Sequence, residues 1–150
     1  MAAEHMNSLY DRDFFEWTAE VARLLREGRF AELDAEHVAE EIEDVGKRDQ
    51  RGVWGHMRIV IHHLLKWQFQ PRRQTRSWSV STRTHRITLA DIFRQSPSLK
   101  RNAREALAEE YEEAVRRAMG ETGLARECFP AACPYTFEQV VSLDFMPDSE

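Results

Sequence analysis

Residues 35–71 read "AEHVAEEIEDVGKRDQRGVWGHMRIVIHHLLKWQFQP", and this stretch decides the fold class. Val38, Ile42, Val45, Val53, Val60, Leu64 and Trp67 recur at the spacing of one face of an α-helix. Pro71 ends the pattern, because proline has no backbone N–H to continue the ladder. Unbroken, such a helix would span about 54 Å at ~1.5 Å per residue. A single compact chain of this size has a radius of gyration of only ~15 Å. Gly46, Gly52 and Gly55 lie in the middle of the stretch, and each weakens a helix by ~1 kcal/mol relative to alanine. A break or kink between Gly46 and Gly55 is therefore expected, giving two helices.

Working outward, the flanking segments are helical too. Asp13 followed by Glu16 is a capping-box pair, and Phe14, Trp17, Val21 and Leu24 then repeat at helical spacing. The first helix is expected over about 12–27, with Gly28 closing it in the left-handed conformation. Asp34 can cap the next helix. Downstream, Ser77 is the expected cap of a helix carrying Trp78, Thr82, His85, Leu89, Ile92 and Phe93. "SPS" at 96–98 stops it and starts another, from about Leu99 to Gly120, with Ala103, Leu107, Tyr111, Ala114 and Ala118 on its inner stripe. Thr136 with Gln139 begins a short last helix near 137–142. No segment alternates with the period of two that marks a strand. The fold expected is all-α: a single-domain helical bundle over residues 1–150, core about 9–147, with about five main helices and a short C-terminal one.

Composition bounds the function classes. Hydrophobic residues make up 42% and charged residues 31%, a globular rather than a disordered balance. No run reaches the ~18 apolar residues of a membrane span, and the start lacks the pattern of a signal peptide. A soluble cytoplasmic protein without membrane partners is expected. Cys128 and Cys133 are then expected as reduced, structural thiols, not a metal or redox pair.

The net charge of −5 conceals a partition. Residues 1–50 hold 6 basic and 14 acidic residues, 51–101 hold 11 and 1, and 102–150 hold 4 and 11. The basic middle either attracts an anionic partner or pairs with the acidic helices beside it. Its candidate anion- or partner-binding residues are Lys66, Arg72, Arg73, Arg76, Arg83 and Arg86. Trp67, Phe69 and Trp78 could add stacking faces for single-stranded nucleic acid. Against this, Leu64, Trp67 and Trp78 fall on apolar stripes and are expected inside, with Lys66, Arg72, Arg73 and Arg76 near the surface, many facing carboxylates.

"LYDRDFFEWTAEVARLLREGRFAELDAEHVAEEIEDVGK" (residues 9–47), "HHLLKWQFQP" (62–71), "RSW" (76–78), "SPSLK" (96–100) and "FPAACPYTFEQV" (129–140) together resemble the bacterial domain of unknown function 29 family. The resemblance is colinear from about Leu9 to Pro147. It implies an all-α fold and brings no activity, so no catalytic residue is carried over.

The residues leave two further chemical readings. Asp49, His56 and His63 follow Ile42 at steps of seven, which makes them a candidate polar pocket between helices, where a histidine could do acid–base work. A metal site would combine His37, Glu40 or Glu41 with carboxylates such as Glu16 or Glu20, but no histidine has a glutamate three residues before it. No nucleophile motif, phosphate-binding glycine loop or triad is present. No metal, no cofactor and no catalytic residue is therefore assigned. The expected function is a non-catalytic module that binds a protein partner or itself, with anion or nucleic-acid binding second and an enzyme or metal site between histidine- and carboxylate-bearing helices third.

Overall fold

A computed structural model describes residues 2–149, with side chains from Glu4 to Ser149. Its helices are α1 (Ala2–Arg12), α2 (Phe14–Arg26), α3 (Ala35–Phe69), α4 (Arg76–Gln95), α5 (Pro97–Thr122) and α6 (Phe137–Val141). Short 3-10 turns at Phe30–Glu32, Pro71–Arg73 and Arg126–Cys128 lie between them, and no strand occurs among the described residues. The all-α expectation holds. The described chain forms two compact units, residues 1–48 and 49–150.

The expected break in the long helix is absent. α3 is helical for 35 residues, without interruption at Gly46, Gly52 or Gly55. The argument for a break assumed one compact body enclosing the whole helix. Instead, residues up to Arg48 belong to the first unit and those from Asp49 to the second, so each part has packing partners of its own.

The first unit begins with a helix the sequence reading did not resolve, α1, which contributes Met6 and Leu9. They pack with Trp17, Val21 and Leu24 of α2, and Tyr10, Leu33 and Val38 close the cluster. Asp13 caps α2, its Oδ1 accepting from the Glu16 N–H at 3.0 Å, but the expected box is only half formed, because the Asp13 N–H donates to the Leu9 carbonyl at 2.8 Å. Gly28 follows at φ +70°, in the left-handed region where glycine has no Cβ penalty. Asp34 accepts from the His37 N–H at the start of α3. The Tyr10 ring lies 3.9 Å from the His37 ring, and its hydroxyl donates to Glu41 at 2.6 Å.

The second unit carries the larger core. Val53, Met57, Val60, Ile61, Leu64 and Leu65 of α3 meet Leu89 and Phe93 of α4 and Ala103, Tyr111, Ala114, Val115 and Ala118 of α5. The small α5 stripe expected from the sequence is buried, apart from Leu107, which is half-buried. Two boundaries differ from expectation. Thr75, not Ser77, caps α4, its side chain accepting from the Trp78 N–H. α5 runs past Gly120 and ends at Gly123, whose φ of +73° makes the left-handed stop. The capping box of Thr136 and Gln139 starts α6 as expected.

The buried charged groups inside this unit have partners. Buried Glu110 accepts two bonds from Arg58, at 2.7 and 2.9 Å. Arg86, fully buried, donates to the carbonyls of Gln139, Val140 and Phe145 at 2.7–2.9 Å. It fastens the C-terminal segment to α4 by satisfying carbonyls that would otherwise be stranded.

Candidate functional site

The basic segment divides differently from expectation. Lys66 is buried, not at the surface: its Nζ donates to Glu121 at 2.9 Å and lies 4.3 Å from the Trp78 ring centroid. Arg86 is likewise withdrawn, because its three carbonyl partners occupy the guanidinium. Burial pushes its pKa down to about 10, so it stays charged at neutral pH. Arg83 is exposed and pairs with Asp144 at 3.2 Å. Arg72, Arg73 and Arg76 are exposed at the α3–α4 connection, and no carboxylate among the described residues lies within ion-pair distance of them. Of the four cations expected to face carboxylates, Lys66 does and these three arginines do not. Leu64 is fully buried, whereas Trp67 and Trp78 are half-buried.

The expected polar pocket is also rebuilt. Asp49 is exposed and takes no part in it. His56 finds His85 of α4 instead, their Nδ1 atoms 2.7 Å apart. Two imidazole nitrogens at that distance share one proton, so one ring donates and the other accepts. One turn and a half further along α3, His62 Nε2 meets Glu121 Oε2 at 2.9 Å, the same oxygen that Lys66 reaches. His62 and His63 sit with ring centroids 4.8 Å apart, and the Nδ1 of each is buried without a hydrogen-bond partner among the described residues.

Burial sets the protonation of this cluster. It pushes His56, His62 and His85 below the ordinary imidazole value, and His63 down to about 4, with His62 and Lys66 adding repulsion. Glu121 carries the opposite balance. Burial would raise it, but Lys66 and His62 hold its pKa at about 2. At neutral pH the four rings are uncharged and Glu121 is ionised. A neutral His62 donating from Nε2 leaves Nδ1 as a bare lone pair, which costs less inside than a stranded N–H would. The cluster is a proton-poor internal network that ties α3 to α4 and α5.

Among the described residues, no three His, Cys, Asp or Glu side chains converge as metal ligands. Cys128 and Cys133 are both free, and burial raises the Cys133 thiol, so it is protonated at neutral pH. His37, weighed above as a ligand, is instead bonded through Nδ1 to Asp34, which pulls its pKa up. No described helix is long and apolar enough to cross a membrane.

The sequence reading missed a different feature, on the first unit. α2 and the N-terminal part of α3 leave an open apolar groove of about 240 Å³, lined by Val21, Leu25, Val38, Ile42 and Val45 above the buried Trp17. Ile42 is 67% exposed, Val45 54% and Leu25 44%. The stripe through Val38, Ile42 and Val45 was legible, but it was read as core. What the sequence could not show is that no described residue of the first unit covers its outer half.

No curated protein and no solved structure matches the chain. The model of one family, described as Domain of unknown function DUF29, matches residues 9–146. That match takes in α2 to α6 entire, the groove and the histidine network alike, and the chain belongs to this family.

Proposed function

We propose that this chain is a non-catalytic protein-interaction module of the bacterial cytoplasm, and that the α2/α3 groove is its docking surface. The observation that carries the reading is the exposure of Ile42 and Val45 on a helix face continuous with the half-buried Val38 at the edge of the first core. Single exposed apolar residues are ordinary, but a contiguous apolar groove marks a contact surface. Two parallel ridges of aliphatic side chains suit an incoming helix, which supplies its own stripe at the same spacing. The His56–His85 and His62–Glu121 hydrogen bonds join helices of the second unit, which suits a structural role.

The test is methyl-resolved NMR of the full chain with added amphipathic helical peptides of differing flanking charge. Saturable shifts at Leu25, Val38, Ile42 and Val45 are expected for at least one of them. If no peptide moves those methyls, the groove is not a docking surface.

One observation favours a second reading. Arg72, Arg73 and Arg76 are exposed without carboxylate partners, which leaves positive charge for an anionic partner such as single-stranded nucleic acid, with Trp67 and Trp78 half-exposed nearby in sequence. Titration with oligonucleotides checks it. Binding that weakens steeply with salt, as counterions are released at each phosphate contact, and that vanishes when the three arginines become glutamate would favour it over the groove.

A further inference from the structure

The groove on the first unit has a chemistry that restricts what can fill it. Residues 1–48 hold 6 basic and 13 acidic residues, a net charge of −7. Three of these six positive charges are already engaged by carboxylates. Arg23 is held by Glu20 and Glu27, and Arg29 by Glu27 and Glu32. Lys47 reaches Glu43 and Asp44 at 4.0 Å. On the α3 segment that supplies Val38, Ile42 and Val45, the exposed Glu36, Glu40, Glu43 and Asp44 outnumber Lys47 and Arg48. An apolar floor thus lies within a strongly negative surface.

We infer that the α2/α3 groove takes an amphipathic helix of another protein, its apolar stripe flanked by lysine and arginine. The inference rests on the docking reading above and adds the partner's charge. A basic flank gains from the field of the first unit, both in the encounter and in the docked state. An acidic helix would bring like charges together. A second copy docking through the same face would do the same, placing two surfaces of net charge −7 against each other. The apolar spacing supplies affinity, and the charge selects among helices that share that spacing.

The experiment uses the full chain and two fluorescent peptides about five turns long, with one leucine–isoleucine stripe flanked by lysine and arginine in the first and by glutamate in the second. Anisotropy is measured at low and physiological salt, alongside light scattering of the chain alone. The basic peptide is expected to bind at least about tenfold tighter than the acidic one, with the gap narrowing as salt screens it. Ile42→Gln with Val45→Gln should weaken that binding by about tenfold or more. A milder Ile42→Ala variant, expected to weaken it severalfold, serves if the double variant does not fold. Equal affinity of the two peptides overturns the basic partner and leaves the groove standing. So does a concentration-dependent dimer abolished by the double variant, which would make the occupant a second copy. Basic-peptide binding indifferent to both variants overturns the inference as diffuse charge attraction. Binding of neither peptide, without a dimer, overturns the inference and the docking reading together.

Discussion

The two units of this chain treat their side chains in opposite ways. The second unit turns inward: Arg86, Glu110, His62 and Lys66 are all buried, and each has a partner inside the same unit. The first unit turns outward: five buried apolar residues form its cluster, and Leu25, Ile42 and Val45 remain in solvent. A unit that pairs its buried charges internally has few of them left to offer a partner. A unit that leaves an apolar face open loses hydrophobic stabilisation that only a partner can restore. On the function proposed above, stability resides chiefly in one unit and recognition in the other.

The sharpest way to break the contrast is at Arg86. Arg86→Ala removes three bonds and strands the carbonyls of Gln139, Val140 and Phe145. Urea unfolding should show a loss of about 3–5 kcal/mol. Arg86→Lys, which keeps the charge but not the planar fork, should recover only part of it. A loss under about 1 kcal/mol would mean that these carbonyls are satisfied another way.

Acid should separate the units next. His63 titrates at about 4 when folded against 6.5 when unfolded, facing His62, Lys66, Glu121 and His85. The unfolded chain therefore takes up the proton first. The stability contributed by neutral His63 is present above pH 6.5 and is lost as pH falls towards 4, by roughly 2–3 kcal/mol. His56, His62 and His85 shift in the same direction, and Glu121 adds a further loss below about pH 4.5. His37 of the first unit has the reverse sign. Asp34 raises its pKa, so its contribution is complete below 6.5 and fades as pH rises through the folded value. Segment-resolved hydrogen exchange, corrected for intrinsic rates, should show protection in residues 49–122 falling between pH 7 and 5 while the start of α3 holds. Parallel loss in both segments would erase the distinction.

Smaller effects are expected within α3. A methyl group built at Gly46 or Gly52 meets nothing within 4 Å, and both residues are helical. Gly46→Ala and Gly52→Ala should each stabilise the chain by about 0.5–1 kcal/mol in urea titrations. A loss instead would show that a bend at these glycines matters.

These glycines also mark where the sequence misled. Asp13, Gly28, Thr136 and Gln139 were legible because each acts on its own few residues, and local hydrogen bonding decides a cap. The stripe of α5 was legible because burial follows the helical period. Ser77 was misread because Thr75, two residues earlier, also carries a hydroxyl, and only backbone geometry chooses between them. Gly46 to Gly55 suggested a break because propensity was weighed without knowing that packing partners change at Arg48 and Asp49. The histidine network was half legible. His56 and His63 were flagged by their place on the stripe, but His85 and Glu121 come from other helices and leave no local sign. The groove was hidden for the same reason, since a stripe shows what a helix could bury and not what covers it.

The most direct test of the division between the units is the melting temperature of the unliganded Ile42→Gln, Val45→Gln double variant. If these side chains serve a partner, glutamine costs the free chain almost nothing, because both positions are over half exposed and glutamine favours helix. The melting temperature should stay within about 2 °C of the parent, corresponding to under ~1 kcal/mol for a chain of this size. A fall of more than about 6 °C would place Ile42 and Val45 inside the fold and close the groove.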